Sequence, residues 1–290
     1  MFVNLFGKFL ISQNIISEDE LFSIEMELNK TKVMLGLIAV SEKLMTEKQA
    51  ELVNKKQKMM DKRFGDIAVE LGFLNREQVD RLLQLQGNPY FRFCQVAIDK
   101  EIMSLEAIED AMEKFRIANN FTISDIEAVK TGDVDRILPL YLPQLPVGPL
   151  GDLIAVVVRS LIRLVSSDLY IEKGYVTSNY KTGCFALQNM DGDYKAATIF
   201  SGDEKGILAV AEGFAKEFFE EVNEEALDSV AEFINIANGL FSTGKSFENQ
   251  MKIMLSPPVY STQSLDISSS SIYVLPLEVN QQAVDLCISL

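Results

Sequence analysis

Apolar and polar positions in residues 1–115 recur with a period of about 29 residues. Each unit begins with a short apolar block, passes through a polar break, and continues with apolar residues at helical spacing. The polar breaks end at preferred N-cap residue types, which recur with the same period: Ser17, Thr46, Asn75 and Ser104. Glu or Gln follows three residues later in the first three units, which completes a capping-box pattern, whereas the fourth unit has Ala107.

This pattern predicts that each unit is a short helix, a turn and a longer amphipathic helix. A single helix pair of this kind cannot bury its own apolar face, so neighbouring pairs should stack. We therefore predict an all-α domain of four tandem helix-pair repeats over residues 1–117, with a regulatory or docking role.

The repeat pattern stops in residues 118–151. Asn119-Asn120 and the Lys130–Asp133 segment are turn signals, and four of the eight prolines lie between Leu138 and Gly151. Proline cannot continue a helix, so this composition predicts a semi-rigid, Pro-rich linker that packs against one of its neighbours.

Residues 152–290 change to a mixed pattern of one helix, several strands, two long helices and further strands. This order predicts an α+β domain in which helices pack on a mostly antiparallel sheet. The predicted helices are 152–166, 203–222 and 225–241, and the predicted strands lie near 170–176, 183–188, 196–200, 252–255, 271–276 and 283–290.

The composition of the chain argues against several classes of function. The formal net charge is −15, and an acidic surface of this kind repels nucleic acid and anionic membranes. The chain has no histidine and three widely spaced cysteines, which argues against a metal site and against nucleophilic catalysis that needs histidine. No apolar run approaches the roughly 18 residues of a membrane span, and no signal peptide is evident, so we expect a cytoplasmic protein.

One predicted helix, 225–241, carries a polar stripe. Asp228, Glu232 and Asn235 stand at i, i+4 and i+7, so their side chains share one face. The opposite face is apolar and should be buried: Val230, Phe233, Ile234, Ala237 and Phe241. An exposed acid and a carboxamide on a rigid helix are suited to contact with a partner protein.

The spacing Asp/Ser-x3-Glu-x2-Asn-x22-Pro, which runs from Asp228 to Pro258, resembles the signature of the CheX/CheC response-regulator phosphatases. The resemblance implies that Glu232 pairs with a lysine of a phosphorylated receiver domain and that Asn235 orients the attacking water. The receiver would supply Mg²⁺ and the aspartyl-phosphate, so the protein needs no metal or cofactor of its own. The implied role is protein aspartyl-phosphate hydrolysis in chemotaxis or motility signalling.

The domain order over 152–290 is also that of the CheX family. The full Asp/Ser-x3-Glu-x2-Asn motif is present once, and the predicted helix 152–166 contains no Glu-x2-Asn, which resembles the one-site CheX type and not the two-site CheC type. CheX-like domains commonly pair through sheet edges, so the resemblance implies a homodimer.

The third repeat resembles a cyclic-di-GMP-binding motif in the N-terminal domains of secretion and pilus ATPases. The matching residues run from Arg63, Gly65 and Gly72 to Gln86, and Arg92 restores the leading arginine in the fourth repeat. The second glycine of the motif is replaced in the other repeats, by Asn14, Lys43 and Glu101. The resemblance implies a cyclic-dinucleotide site formed by Arg63, Gly65, Gly72 and Arg92, but it is equally compatible with a helical scaffold.

Two alternatives to the phosphatase remain open at this point. The protein is then either a non-catalytic adaptor that binds a receiver domain, a cyclic dinucleotide or both, or a structural adaptor in which both halves only dock. Burial of Glu232 and Asn235, or their cover by the linker, would favour the structural adaptor, since a site hidden from a protein substrate cannot work without a conformational change.

Overall fold

The computed structural model describes residues 1–145 and 148–290 of the chain. The chain forms two compact units, one comprising Phe2–Gly132 and the other Asp133–Leu290. The boundary lies inside the segment that the sequence predicts as a linker. Within the described residues, no helix is long and apolar enough to cross a membrane.

The first unit is all helical, as predicted. The four repeats consist of eight helices: α1 Phe2–Ser12, α2 Glu18–Leu28, α3 Leu35–Ser41, α4 Glu47–Gln57, α5 Phe64–Glu70, α6 Arg76–Leu85, α7 Pro89–Asp99 and α8 Leu105–Asn119. Their apolar faces form a continuous core in which aromatic rings of different repeats meet; Phe6 packs edge-on against Phe93 and Phe115.

The second helix of every repeat begins at the predicted N-cap residue. Ser17, Thr46 and Asn75 each accept a hydrogen bond from the backbone N–H three residues on, and each forms the complete capping box. Ser104 accepts from Ala107 N without the reciprocal bond, because alanine has no side chain that can reach back. The repeat pattern of the sequence therefore sets the start of these helices.

The turn inside each repeat has one residue in the left-handed region. The φ angles there are 53° for Asn14, 57° for Lys43, 72° for Gly72 and 58° for Glu101. These positions have the same spacing as the N-cap residues, so the same tight turn recurs in all four repeats. Gly72 occupies the position that glycine tolerates best, and it has a structural reason to be there.

The segment 118–151 is more ordered than the linker prediction states. It contains α9 Ile123–Thr131, α10 Val134–Ile137 and a 3₁₀ turn Leu138–Tyr141, while Pro146 and Val147 lie outside the described residues. The part after Gly132 packs on the rest of the second unit. The amide of Gly174 donates to Tyr141 O at 2.8 Å, and the Tyr273 hydroxyl donates to Pro143 O at 2.9 Å.

The second unit contains an eight-stranded antiparallel sheet. Its strands are β1 Leu169–Ile171, β2 Tyr175–Lys181, β3 Cys184–Gly192, β4 Ala196–Gly202, β5 Ile253–Leu255, β6 Val259–Ser261, β7 Asp266–Val279 and β8 Gln282–Ser289. The order is β1-β7-β8-β4-β3-β5, with β2 also paired to β7 and β6 to β3. The predicted α+β layout is confirmed; β6 is a strand that the sequence pattern did not predict.

Helices of the second unit pack on the sheet. They are α11 Leu150–Ser160, which continues into a π-helical turn Leu161–Val165, α12 Glu204–Ala215 and α13 Glu224–Asn249. The predicted apolar face of α13 is buried, including Phe233, Ile234 and Ala237. This burial fixes the rotation of α13 and places the opposite, polar stripe at the surface.

Candidate active site on helix α13

Glu232 and Asn235 lie on the outer side of α13. Glu232 is exposed and Asn235 is half-buried. The amide of Asn235 donates from Nδ2 to Glu232 Oε2 at 3.3 Å. A carboxylate and a carboxamide therefore form one contiguous feature on the surface of α13. The condition that would favour a purely structural adaptor, burial of these two side chains, is not met.

The sheet edge next to Asn235 is interrupted. β5 pairs with β3 at residues 190–192 and β6 pairs with β3 at residues 185–187. Between them, the amide of Ser256 still donates to Asn189 O at 3.0 Å, and Pro257-Pro258 then leaves the ladder beside Gln188, because proline has no N–H to donate. Pro258 therefore lies at the turn where the chain re-enters the sheet as β6. The 22 residues between Asn235 and Pro258 include the last turns of α13, the loop after it and β5.

This interruption exposes a backbone acceptor to the side chain of Gln188. Gln188 Nε2 donates to Ser256 O at 2.9 Å and to Asn235 Oδ1 at 2.8 Å. Gln188 is 1% exposed and belongs to the central part of β3. Asn235 is thus held from below by a buried glutamine.

The hydrogen bonds continue under the helix. Asn238 Nδ2 donates to Gln188 Oε1 at 2.9 Å, and the Thr198 hydroxyl donates to Asn238 Oδ1 at 2.9 Å. Thr198 and Asn238 are fully buried, and Thr198 is the cross-strand partner of Gln188. We call Gln188, Asn238 and Thr198 the buried amide chain; none of the three was predicted from the sequence as part of the site. A signal was present, since Asn238 stands three residues after Asn235 on the same helix.

Acidic groups surround the start of α13. Asp228 lies one turn before Glu232, and its charge acts on the hydroxyl of Tyr260 on β6. Desolvation, with the charges of Asp228 and Glu224, raises the pKa of Tyr260. The stretch 217–244 holds seven carboxylates and no Lys or Arg. Most of α13 and the segment before it therefore carry a negative charge, which favours a positively charged partner surface.

Gly239 follows Asn235 by one turn on the same stripe. A Cβ added there would meet no atom within 4 Å, so the helix surface is open at this point. Within the described part of the chain, no group of three or more Cys, Asp or Glu side chains is arranged to hold a metal ion.

The residues predicted for a cyclic dinucleotide lie on α5, its following turn and α7. Arg63 is the exposed N-cap residue of α5, and Arg92 is half-buried on α7. Gly65 is buried, and a Cβ there would lie 2.6 Å from Val79 Cγ1 on α6. Gly65 and Gly72 thus have roles in helix packing and turn formation, and the nucleotide site stays a prediction without a structural observation in its favour.

Residues 184–278 match a family model described as chemotaxis phosphatase CheX. The matched segment contains β3, β4, α12, α13, β5, β6 and nearly all of β7, and so includes Gln188, Glu232, Asn235 and Pro258. A search of curated proteins found no match to this chain.

Several solved structures are similar over about half of the chain. A CheC-like superfamily protein from Shewanella sp. PV-4 is 17% identical, covering 50% of this chain and 98% of its own, with a TM-score of 0.44. The chemotaxis protein CheX from Vibrio vulnificus is 20% identical over 49% and 97%, with a TM-score of 0.41. The CheX of a CheX–CheY–BeF₃–Mg²⁺ complex from Borrelia burgdorferi is 16% identical over 50% and 98%, with a TM-score of 0.40. The family-model match shows that the C-terminal unit carries a CheX/CheC-like domain.

Proposed function

We propose that the C-terminal unit hydrolyses the aspartyl-phosphate of a response-regulator receiver domain in chemotaxis or motility signalling. The observation that carries this proposal is the pairing of the exposed Glu232 with the half-buried Asn235, whose amide is held by Gln188, inside the segment that matches the CheX phosphatase model. Water attacks phosphorus, the receiver aspartate leaves as a carboxylate, and inorganic phosphate is released.

In this proposal Glu232 docks the receiver. Only Oε2 of its carboxylate is engaged by Asn235, at the long distance of 3.3 Å, which leaves acceptor capacity for a lysine ammonium of the receiver. The ion pair would set the position of the receiver active site against α13. The Mg²⁺ that neutralises the phosphoryl group belongs to the phosphorylated receiver and arrives with the substrate.

Asn235 orients the water. Its Oδ1 is turned inward and accepts from Gln188, whereas Nδ2 faces the surface and donates one hydrogen to Glu232. The second hydrogen of Nδ2 can donate to the attacking water, which keeps a lone pair for phosphorus. An amide also carries no negative charge that would repel the phosphoryl oxygens. An acyl phosphate is already activated, so positioning of water and charge supplies most of the catalysis that is needed.

The decay of a phosphorylated receiver from the same genome tests this proposal. We expect the wild-type protein to accelerate phosphate release. Asn235→Ala should lower the maximal rate by about 100-fold with receiver affinity kept, because the water loses its orientation. Glu232→Ala should mainly weaken binding of the receiver. Glu220→Ala removes an equally exposed carboxylate before α13 and is the matched control.

Two outcomes would count against the proposal. If the protein binds the receiver without accelerating its decay, the C-terminal unit is a receiver-binding adaptor. If Asn235→Ala retains wild-type acceleration, hydrolysis takes place without the proposed amide. Raising the ionic strength should weaken the attraction between the acidic surface and a basic receiver surface, which adds a further check on docking.

A further inference from the structure

The buried amide chain has a defined polarity that begins at a backbone group. Ser256 O can only accept, so the NH₂ end of Gln188 must face it. The other hydrogen of that NH₂ group points to Asn235, which therefore presents Oδ1 inward. Gln188 Oε1 then accepts from Asn238, and Asn238 Oδ1 accepts from Thr198. Reversal of any one amide would bring two donors or two acceptors face to face.

This polarity determines what Asn235 shows to a partner. With Oδ1 turned towards Gln188, Nδ2 points to the surface and reaches Glu232. The two ends of an asparagine amide are nearly identical in shape, so hydrogen bonds decide which end faces outward. Here the reversal is blocked from below, by groups that are at most 1% exposed.

We propose that Gln188 is a positioning residue for the phosphatase reaction, and that Asn238 and Thr198 hold Gln188 in its working orientation. This inference rests on the proposed function of Asn235. Gln188 acts through Asn235 and touches neither the water nor the phosphoryl group. Its contribution is to keep the catalytic amide in one rotamer and one orientation before the receiver arrives.

The stability of the fold does not by itself explain why these buried positions hold polar side chains. They occupy the interface between α13 and the sheet, where apolar residues of similar size would pack without the cost of burying polar groups. A buried polar network whose members are all satisfied specifies one arrangement. The chain ends at the half-buried Asn235, so the arrangement that it specifies is that of the candidate catalytic amide.

Gln188→Met is the main test, in the full-length protein with a phosphorylated receiver. We expect the maximal rate to fall by about tenfold or more while receiver affinity is kept. In an Asn235→Ala background the same substitution should have no further effect, because the group on which it acts is gone. Ser201→Ala removes a different buried hydroxyl, which accepts from Gly183 N, and is the control that should keep wild-type rates.

A second pair of variants guards against simple loss of folding. Thr198→Ser keeps the hydroxyl and should keep the activity, whereas Thr198→Val, of the same shape, should lower the maximal rate. Full activity of Gln188→Met, or a further loss of rate in the Asn235→Ala background, would overturn the inference.

A structural readout separates this inference from the proposed function. The side-chain NH₂ signal of Asn235 in a ¹⁵N NMR spectrum is identified by its loss in Asn235→Ala. We expect one sharp pair of resonances in the wild type and a shifted or broadened pair in Gln188→Met. This change supports the positioning role even if no receiver is dephosphorylated, whereas an unchanged signal overturns it.

Discussion

Gly65 gives the most direct test of why the third repeat carries its motif. It is the second residue of α5, and a Cβ added there would lie 2.6 Å from Val79 Cγ1 on α6. The equivalent pair in the first repeat is equally close, with Leu21 Cδ1 2.7 Å from a Cβ at Gly7. We expect Gly65→Ala to destabilise the repeat unit because the two helices have no room for a methyl group.

The magnitude follows from two opposing effects. Overpacking a well-packed core costs about 1–3 kcal/mol, and alanine gains at most about 1 kcal/mol over glycine in a helix. A separation of 2.6 Å is a severe overlap, so the overpacking cost should lie near the upper end of its range, at about 2–3 kcal/mol, and the net loss of unfolding free energy should be about 1–2 kcal/mol. Val79→Ala removes the clashing methyl group, so Gly65→Ala should cost at least about 1 kcal/mol less in that background. Gly87→Ala is the control, since a Cβ there meets no atom within 4 Å.

Urea unfolding of the full chain, followed by far-ultraviolet circular dichroism, measures these differences. The chain has two units, so hydrogen exchange of α5 and α6 peptides should be used to assign the transition to the repeats. If Gly65→Ala lowers the unfolding free energy by the same amount with Val79 and with Val79→Ala, the close approach of α5 and α6 is not the reason for a glycine at position 65. That result would favour a role for Gly65 in ligand binding, which titration with cyclic-di-GMP would then test.

Two further predictions concern helices. Gly239→Ala and Gly244→Ala should each stabilise α13 by up to about 1 kcal/mol, since a Cβ at either position meets no neighbouring atom. If a receiver docks closely beside Asn235, only Gly239→Ala should slow dephosphorylation of the receiver, which the phosphate-release assay measures. The pKa of Glu20 is lowered by hydrogen bonds from the backbone and side chain of Ser17. Its contribution to stability is therefore present at neutral pH and lost as the pH falls through that lowered pKa. Ser17→Ala should raise the pKa of Glu20, measured by NMR titration, and an unchanged pKa would refute the capping argument.

The helical repeats were predictable because their signals are local. The same period of 29 residues applies to the N-cap residues, to the left-handed turn positions and to the apolar spacing. Each of these features depends on contacts between residues only a few positions apart in the sequence. The segment 118–151, predicted as a Pro-rich linker, contains short helices whose ends the sequence did not predict. Its prolines mark breaks between short helical turns, and packing on the second unit then orders the segment around Tyr141 and Pro143.

The ends of the C-terminal helices depend on contacts that sequence does not reveal. α13 continues to Asn249, beyond the predicted end at Phe241, and its last turns are held by Lys245, whose ammonium group donates to Asp152 on α11 and to Glu248. α12 ends at Ala215, well before the predicted Val222. Lys216 adopts a left-handed conformation there, with φ of 59°, and its ammonium group donates to nearby backbone carbonyls.

The candidate site could be predicted in part. Helical spacing was sufficient to place Glu232 and Asn235 on one exposed face, since it needs only the periodicity of α13. Gln188 could not be predicted in this way. A glutamine in a strand normally indicates a solvent-facing position, and its burial depends on an acceptor at Ser256, 68 residues away.

The break in the edge of the sheet also protects the unit from unwanted assembly. An exposed edge strand invites another chain to add a strand of its own. Along β5 and β6 an incoming strand would meet Pro257 and Pro258, which offer no N–H groups, and so could not form a continuous ladder. The edge beside Asn235 thus resists strand addition and aggregation, and it stays accessible to a folded partner.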